Sequence, residues 1–170
     1  MKSLLATALL LGLQPPTETP DDEALRNAEL DKLAGTWAVT SGEKNGQKLA
    51  PEQTDKYRLV INVRNKESPK IEAYDLNELR KQPRDRKAVN SATFKIDPTV
   101  KPNDPAHRHK TIDLVRYKDG QEMTMLGIYD LKGEMLTICG CDDGRRIRPS
   151  EFAAKADSGC SLLVLKREKK

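Results

Sequence analysis

The pattern of apolar and polar positions changes period at Gly35. Before it, Leu30, Leu33 and Ala34 recur at i, i+3 and i+4, the spacing of one helical face. Acidic residues open this stretch and Gly35 stands where a helix C-terminal glycine is expected, so a helix is predicted over 22–34. After Gly35 the apolar positions repeat every second residue. A strand is predicted over 36–43. Tyr57, Leu59, Ile61 and Val63 then alternate with polar residues, Val60 apart, which is the signature of a half-buried strand. Residues 70–74 form another candidate. Ala92, Phe94 and Ile96 alternate and stop at Asp97-Pro98. Strand-like runs follow over 111–117, through Met123, Met125, Tyr129 and Leu131, over 135–141, and over 161–166, where Leu162 to Leu165 are apolar on both faces.

Asn45-Gly46, Asp119-Gly120 and Asp143-Gly144 sit between these runs, and Lys132-Gly133 marks another turn. Asn, Asp and Gly tolerate the positive φ that tight hairpin turns require, so the neighbouring strands are antiparallel. About eight strands in sequence-neighbour order make a meander, and closing it removes the exposed edges. The expected fold is therefore all-β: an antiparallel up-and-down barrel of about eight strands, lipocalin-like, with one short N-terminal helix. The irregular piece is 75–89. Residues 76–79 can make one helical turn, and the basic run 80–87 reads as a solvated loop. No internal repeat is present.

Length and composition refine this picture. A chain of 170 residues holds one domain plus a short leader. Hydrophobic residues make up 36% and charged residues 33%, so the core is compact and the surface densely charged. Thirty basic against 26 acidic residues leave a net charge of +4, a balance that argues for solubility and against a polyanion partner. Residues 1–13 read as a signal peptide: Lys2 opens it, and the uncharged apolar run 4–13 is too short to span a bilayer. The alternative is an uncleaved apolar arm. Residues 14–21 carry three prolines and read as an extended linker, leaving 22–170 as the barrel domain. Export to the periplasm, the cell envelope or the medium is the expectation, with no transmembrane segment. The chain has three cysteines, Cys139, Cys141 and Cys160. Cys139 and Cys141 share a face on an unbroken strand, so each is a better disulfide partner for Cys160 than for the other. That all three are small buried hydrophobes is the competing reading.

Candidate chemistry is sparse. His107 and His109 are the chain's two histidines, and with Pro102, Pro105 and Lys110 around them they read as a loop rather than a metal site, which needs further ligands. The spacing of Cys139 and Cys141 is not that of a zinc pair. No nucleophile–base pair, Gly-x-Ser-x-Gly elbow or glycine-rich phosphate loop is present, so no catalytic residue, metal ligand or cofactor is assigned. Basic clusters occur at 80–87, 145–148 and 166–170. With seven aromatic residues in the chain there is no platform for stacking bases, and nucleic acid is not expected as a partner. Met123, Met125 and Met135 are read as in-facing core filling; the competing reading is that they line an adaptable apolar cavity. Arg148 and Glu151 lie where the chain returns toward its last strand and are expected to be structural, as a half-buried charged pair that fixes the return.

Several segments occur in order: 33–37 around Gly35-Thr36-Trp37, Gly127-Ile128-Tyr129, 136–139, Arg148-Pro149-Ser150-Glu151-Phe152, and 162–167 ending in Arg167. Together they resemble the small, uncharacterised, lipocalin-like (calycin-like) domain found in many copies in planctomycete bacteria, over about residues 29–167. The resemblance implies a calycin-like barrel behind an export signal and brings no activity with it. The basic stretch 80–87 and Cys141 depart from the usual pattern. In lipocalins the Gly-x-Trp tryptophan packs under an arginine from the chain's end, which carries the role onto Trp37 and Arg167, with Gly35 before them. Barrel closure supports the pairing independently, since it sets the last strand beside the first; Lys166 is the competing cation. The functional expectation is a non-enzymatic exported binding or interaction module of the cell envelope. The alternatives are a carrier of a small apolar ligand and an enzyme with an unrecognised site. The partner classes are accordingly a small apolar ligand or another envelope protein.

Overall fold

The structure is a computed structural model that describes residues 19–101, 103–104, 108–118, 120–142 and 147–169. The expected signal peptide, most of the expected linker, His107 and the Asp143-Gly144 turn lie outside them. Helix α1 (Pro20–Leu33) starts inside the expected linker rather than after it. Its start is set by chemistry the linker reading overlooked. Thr19 is the N-cap, its hydroxyl accepting from the Asp22 amide while the Asp22 carboxylate accepts from the Thr19 amide, and Pro20 fits the first turn, where an N–H is not needed.

Strand β1 (Gly35–Lys44) follows at once, then β2 (Gln47–Lys48), the single turn α2 (Pro51–Thr54), β3 (Tyr57–Asn62) and β4 (Lys70–Asp75). The segment after β4 contains α3 (Leu76–Leu79) and a 3-10 turn over Pro83–Asp85. It leads to β5 (Asn90–Asp97), β6 (Lys110–Lys118), β7 (Gln121–Lys132), β8 (Met135–Cys141) and β9 (Cys160–Arg167). Each of β3 to β9 pairs antiparallel with its sequence neighbour, and β1 pairs with both β3 and β9. The sheet is thus a closed, antiparallel, eight-stranded barrel, with β2 as a short flap on β1. Gly46, Gly120 and Gly133 all take positive φ in the hairpin turns, and Asn45 does so beside Gly46.

Alternation decides which side chains enter the barrel. The register sets Trp37 opposite Leu59 and Arg167, Phe94 opposite Leu114, Ile112 opposite Gly127, and Leu136 opposite Leu165. One end of the interior is filled. Trp37, Ile61, Ile96, Ile112, Tyr129, Leu136 and Leu165 are buried there, and Leu30 and Leu33 of α1 complete the cluster. The helix lies across this end: Lys66 of the β3–β4 connection pairs with Asp31 at 2.7 Å, and Lys110 at the start of β6 pairs with Glu29. Met135 is a correction to the sequence reading. It sits opposite Lys166 on the outer face and is exposed, while Met125 faces inward. A strand's period of two places Met135 out of phase with the buried Leu136.

Candidate functional site: the mouth of the barrel

The two barrel ends differ because of what the sequence supplies at each. At the closed end the last turn of α1 leaves carbonyls without helical partners. The Trp37 indole donates to the Leu33 carbonyl at 2.9 Å, and Arg167 donates to the Ala34 carbonyl at 2.5 Å and to that of Lys32. The Arg167 guanidinium lies 4.1 Å from the centre of the Trp37 ring and pairs with Glu134 at 3.1 Å. Gly35 permits this: a Cβ there would come within 2.8 Å of Arg167, and its φ of +137° suits glycine. Lys166 faces out and is exposed. Beside this plug, Glu29 is 3% exposed and is bonded by Lys110, by Lys32 at 3.2 Å and by the Tyr129 hydroxyl at 3.4 Å. Burial pushes the Glu29 carboxyl up, but hydrogen bonds and charge from Lys110 and Lys32 outweigh it and hold the group below its ordinary value. Burial, reinforced by the Glu29 charge, raises the Tyr129 phenol strongly, so it stays protonated. These groups are consumed in closing the barrel.

Arg148 and Glu151 do not meet. Arg148 forks onto Asp113 at 2.6 and 3.2 Å and donates to the Gly127 carbonyl at 2.6 Å. Glu151 is exposed and pairs with Lys155 at 2.5 Å. The expected pair fails because the 147–159 segment crosses the outer face of β6 and β7, which sets the Asp113 carboxylate under Arg148 and turns Glu151 to water. The segment also lies over Cys139, whose thiol is 3.5 Å from the Ala153 carbonyl. His109 accordingly does not float in a loop; its Nε2 lies 3.2 Å from the Ser150 carbonyl and its ring meets Phe152 edge-on at 5.1 Å. Cys141 and Cys160 sit directly opposite on β8 and β9 and form a disulfide, while Cys139 is a buried free thiol that burial pushes toward the protonated form. Among the described residues, no three His, Cys, Asp or Glu side chains are grouped so as to hold a metal ion.

The other end is open and incompletely filled. A cavity of about 210 Å³ extends inward from the mouth. Leu59, Ile71, Leu114, Met125, Ile138 and Leu163 give it apolar walls. The space exists because Ala73 and Ala92 occupy in-facing positions on adjacent strands where larger side chains would fill it. Met125 lies over Gly140, whose missing Cβ would otherwise come within 2.5 Å of its methyl group. Leu49, from the flap after β2, packs over Gly42 next to Leu163. Polar groups appear only toward the mouth: Asn90, Ser91 and Arg116. Arg116 follows Ile112 and Leu114 on the in-facing row of β6 and donates to the Asp142 carboxylate just beyond β8. No ligand residue is expected from the sequence. A charge at i+4 from Ile112 on the buried face of a strand was a legible signal; that it stands beside empty space was not, because the space is set by side chains from other strands. A second hollow, about 450 Å³ and lined by Thr40, Lys48, Thr54 and Asp55 among others, lies against β1 and the flap and is more polar.

A scan against protein-family models finds no match, and neither the curated proteins nor the solved structures yield one.

Proposed function

We propose that this protein is a non-enzymatic binding barrel that takes a small, largely apolar ligand through its open mouth. The observation that carries the reading is the unfilled apolar interior of about 210 Å³ above a fully packed floor. Protein interiors are ordinarily close-packed, so an unfilled half of a barrel calls for an occupant. An apolar cavity of about 150 Å³ is enough to hold benzene, so this one suits a single ring or a short alkyl chain rather than a bulky lipid. The resemblance to the lipocalin-like domains of planctomycete bacteria belongs to the same reading, as does export, which rests on residues 1–13. Of the three expectations from sequence (interaction module, carrier, enzyme with an unrecognised site), the carrier gains most from the cavity; a filled interaction module would need none.

Ligand-observed NMR with neutral fragments such as indole and 1-octanol tests this, comparing the native chain with Ala92→Leu. Saturable binding to the native chain, abolished in a variant whose melting temperature is unchanged or raised, is the expected result. Absence of saturable binding to the native chain, or equal binding to the filled variant, would overturn the reading.

A further inference from the structure

Resting on that reading, we infer that the ligand is an apolar monocarboxylic acid whose carboxylate is taken by Arg116 in exchange for Asp142. Arg116 is the one charged side chain among the described residues lining the cavity. It stands at the mouth, with Leu114 below it on the same row and Met123 opposite on β7. The walls beneath are apolar down to Ile138 and Leu163. A ligand with one anionic end and one apolar end therefore fits in a single orientation, head at the rim and tail inward.

The guanidinium is only partly engaged. One terminal nitrogen bonds Asp142; Nε and the other terminal nitrogen have no protein acceptor among the described residues. A planar fork with spare donors matches a carboxylate, which can bond it twice. Among the described residues, no Asp or Glu lines the cavity itself to repel a ligand anion. Asp142 is suited to being displaced. Both side chains of the pair are 35% exposed, so the pair is of the weak, screened kind and the released Asp142 carboxylate returns to water. Its backbone does not need to move, because the Asp142 amide is bonded to the Gly159 carbonyl at 3.0 Å beside the Cys141–Cys160 disulfide. In the unliganded protein Asp142 thus keeps a mouth-side cation from standing uncompensated next to an apolar cavity.

Calorimetric titration of the full chain with octanoate and with 1-octanol, same length and different head, tests the inference. Octanoate is expected to bind about tenfold or more tighter than octanol, the size of a charged hydrogen-bonded contact. Arg116→Met should erase that preference and leave octanol within about twofold, and Arg116→Lys should retain only part of it because the fork is lost. Asp142→Asn, which removes the competing carboxylate, should tighten octanoate about threefold or more and leave octanol unchanged. Equal affinities for octanoate and octanol would overturn the acid assignment and leave the cavity reading standing. Failure of both to bind would overturn the two together. Weaker octanoate binding in Asp142→Asn would overturn the exchange, assigning Asp142 to hold Arg116 in place.

Discussion

Trp37 and Arg167 constrain each other at the closed end of the barrel. Trp37 is fully buried, bonded to a helix carbonyl, and covered by a guanidinium that itself caps that helix. A double-mutant cycle with Trp37→Leu and Arg167→Met should give a coupling of about 0.5–2 kcal/mol by chemical denaturation. Each single variant should cost more than the coupling, since it also leaves carbonyls of Leu33, or of Lys32 and Ala34, without a donor. A second residue-scale prediction concerns Glu29. Its folded carboxyl lies below the ordinary value, so its stabilisation is fully present above the unfolded pKa, about 4.3, and is lost as pH falls through the lower folded value. Glu29→Gln should therefore be less stable than the native protein near neutral pH, and the gap should shrink as the pH drops below about 4. Denaturation midpoints across pH would show it; a gap independent of pH would assign the loss to packing alone.

At the scale of elements, the 147–159 segment illustrates how a loop without regular structure becomes part of the fold. It is held at one end by the Arg148–Asp113 fork and at the other by the Cys141–Cys160 disulfide. The fork binds it to β6, 35 residues back in the chain, while the disulfide joins the two strands it connects. Arg148→Ala should lower stability by about 1–3 kcal/mol, because it leaves the Gly127 carbonyl and the half-buried Asp113 carboxylate short of a donor. Glu151→Ala should change little, being an exposed pair. The disulfide closes a loop with a sequence separation of 19, which by loop-closure entropy contributes about 3 kcal/mol. Reduction should lower the melting temperature without changing the far-ultraviolet circular dichroism at low temperature, since the β8–β9 ladder continues well beyond the bond. Cys139 should resist alkylation until the protein unfolds, as burial keeps it a thiol.

For the whole molecule, closure through β1 and β9 means that none of the eight barrel strands can leave without breaking two ladders. Helix α1 is part of that unit rather than an appendage, since Leu30 and Leu33 are each 1% exposed within the barrel's own core cluster. Deleting residues 19–34 should remove the cooperative thermal transition, leaving Trp37 exposed as read by its fluorescence; a truncated chain that still melted sharply with a buried tryptophan would show the barrel to be self-sufficient. On the binding reading proposed above, the packed floor carries stability and the open upper half carries the ligand. Filling the upper half is thus expected to cost function without costing stability, whereas changes at the floor do the reverse.

Local chemistry was legible without coordinates wherever it was encoded by neighbours in sequence. Period-two alternation in 57–63 and 92–96 and the Asn45-Gly46 turn specify strands and hairpins, because strand geometry and turn φ values act over a few residues. A meander of such strands leaves closure as the economical solution, and closure set Arg167 opposite Trp37. The α1 start at Thr19-Pro20 is encoded just as locally, in its capping box, although the helix is expected only from 22. What only the tertiary structure decided are relations between residues far apart in the chain. Asp113 rather than Glu151 receives Arg148, and Cys141 rather than Cys139 receives Cys160, because a barrel's curvature and register choose among equally reasonable partners. The cavity is of the same kind. Ala73, Ala92 and Arg116 are unremarkable on their own strands, and become a lined, singly charged pocket only when the barrel brings them to one end.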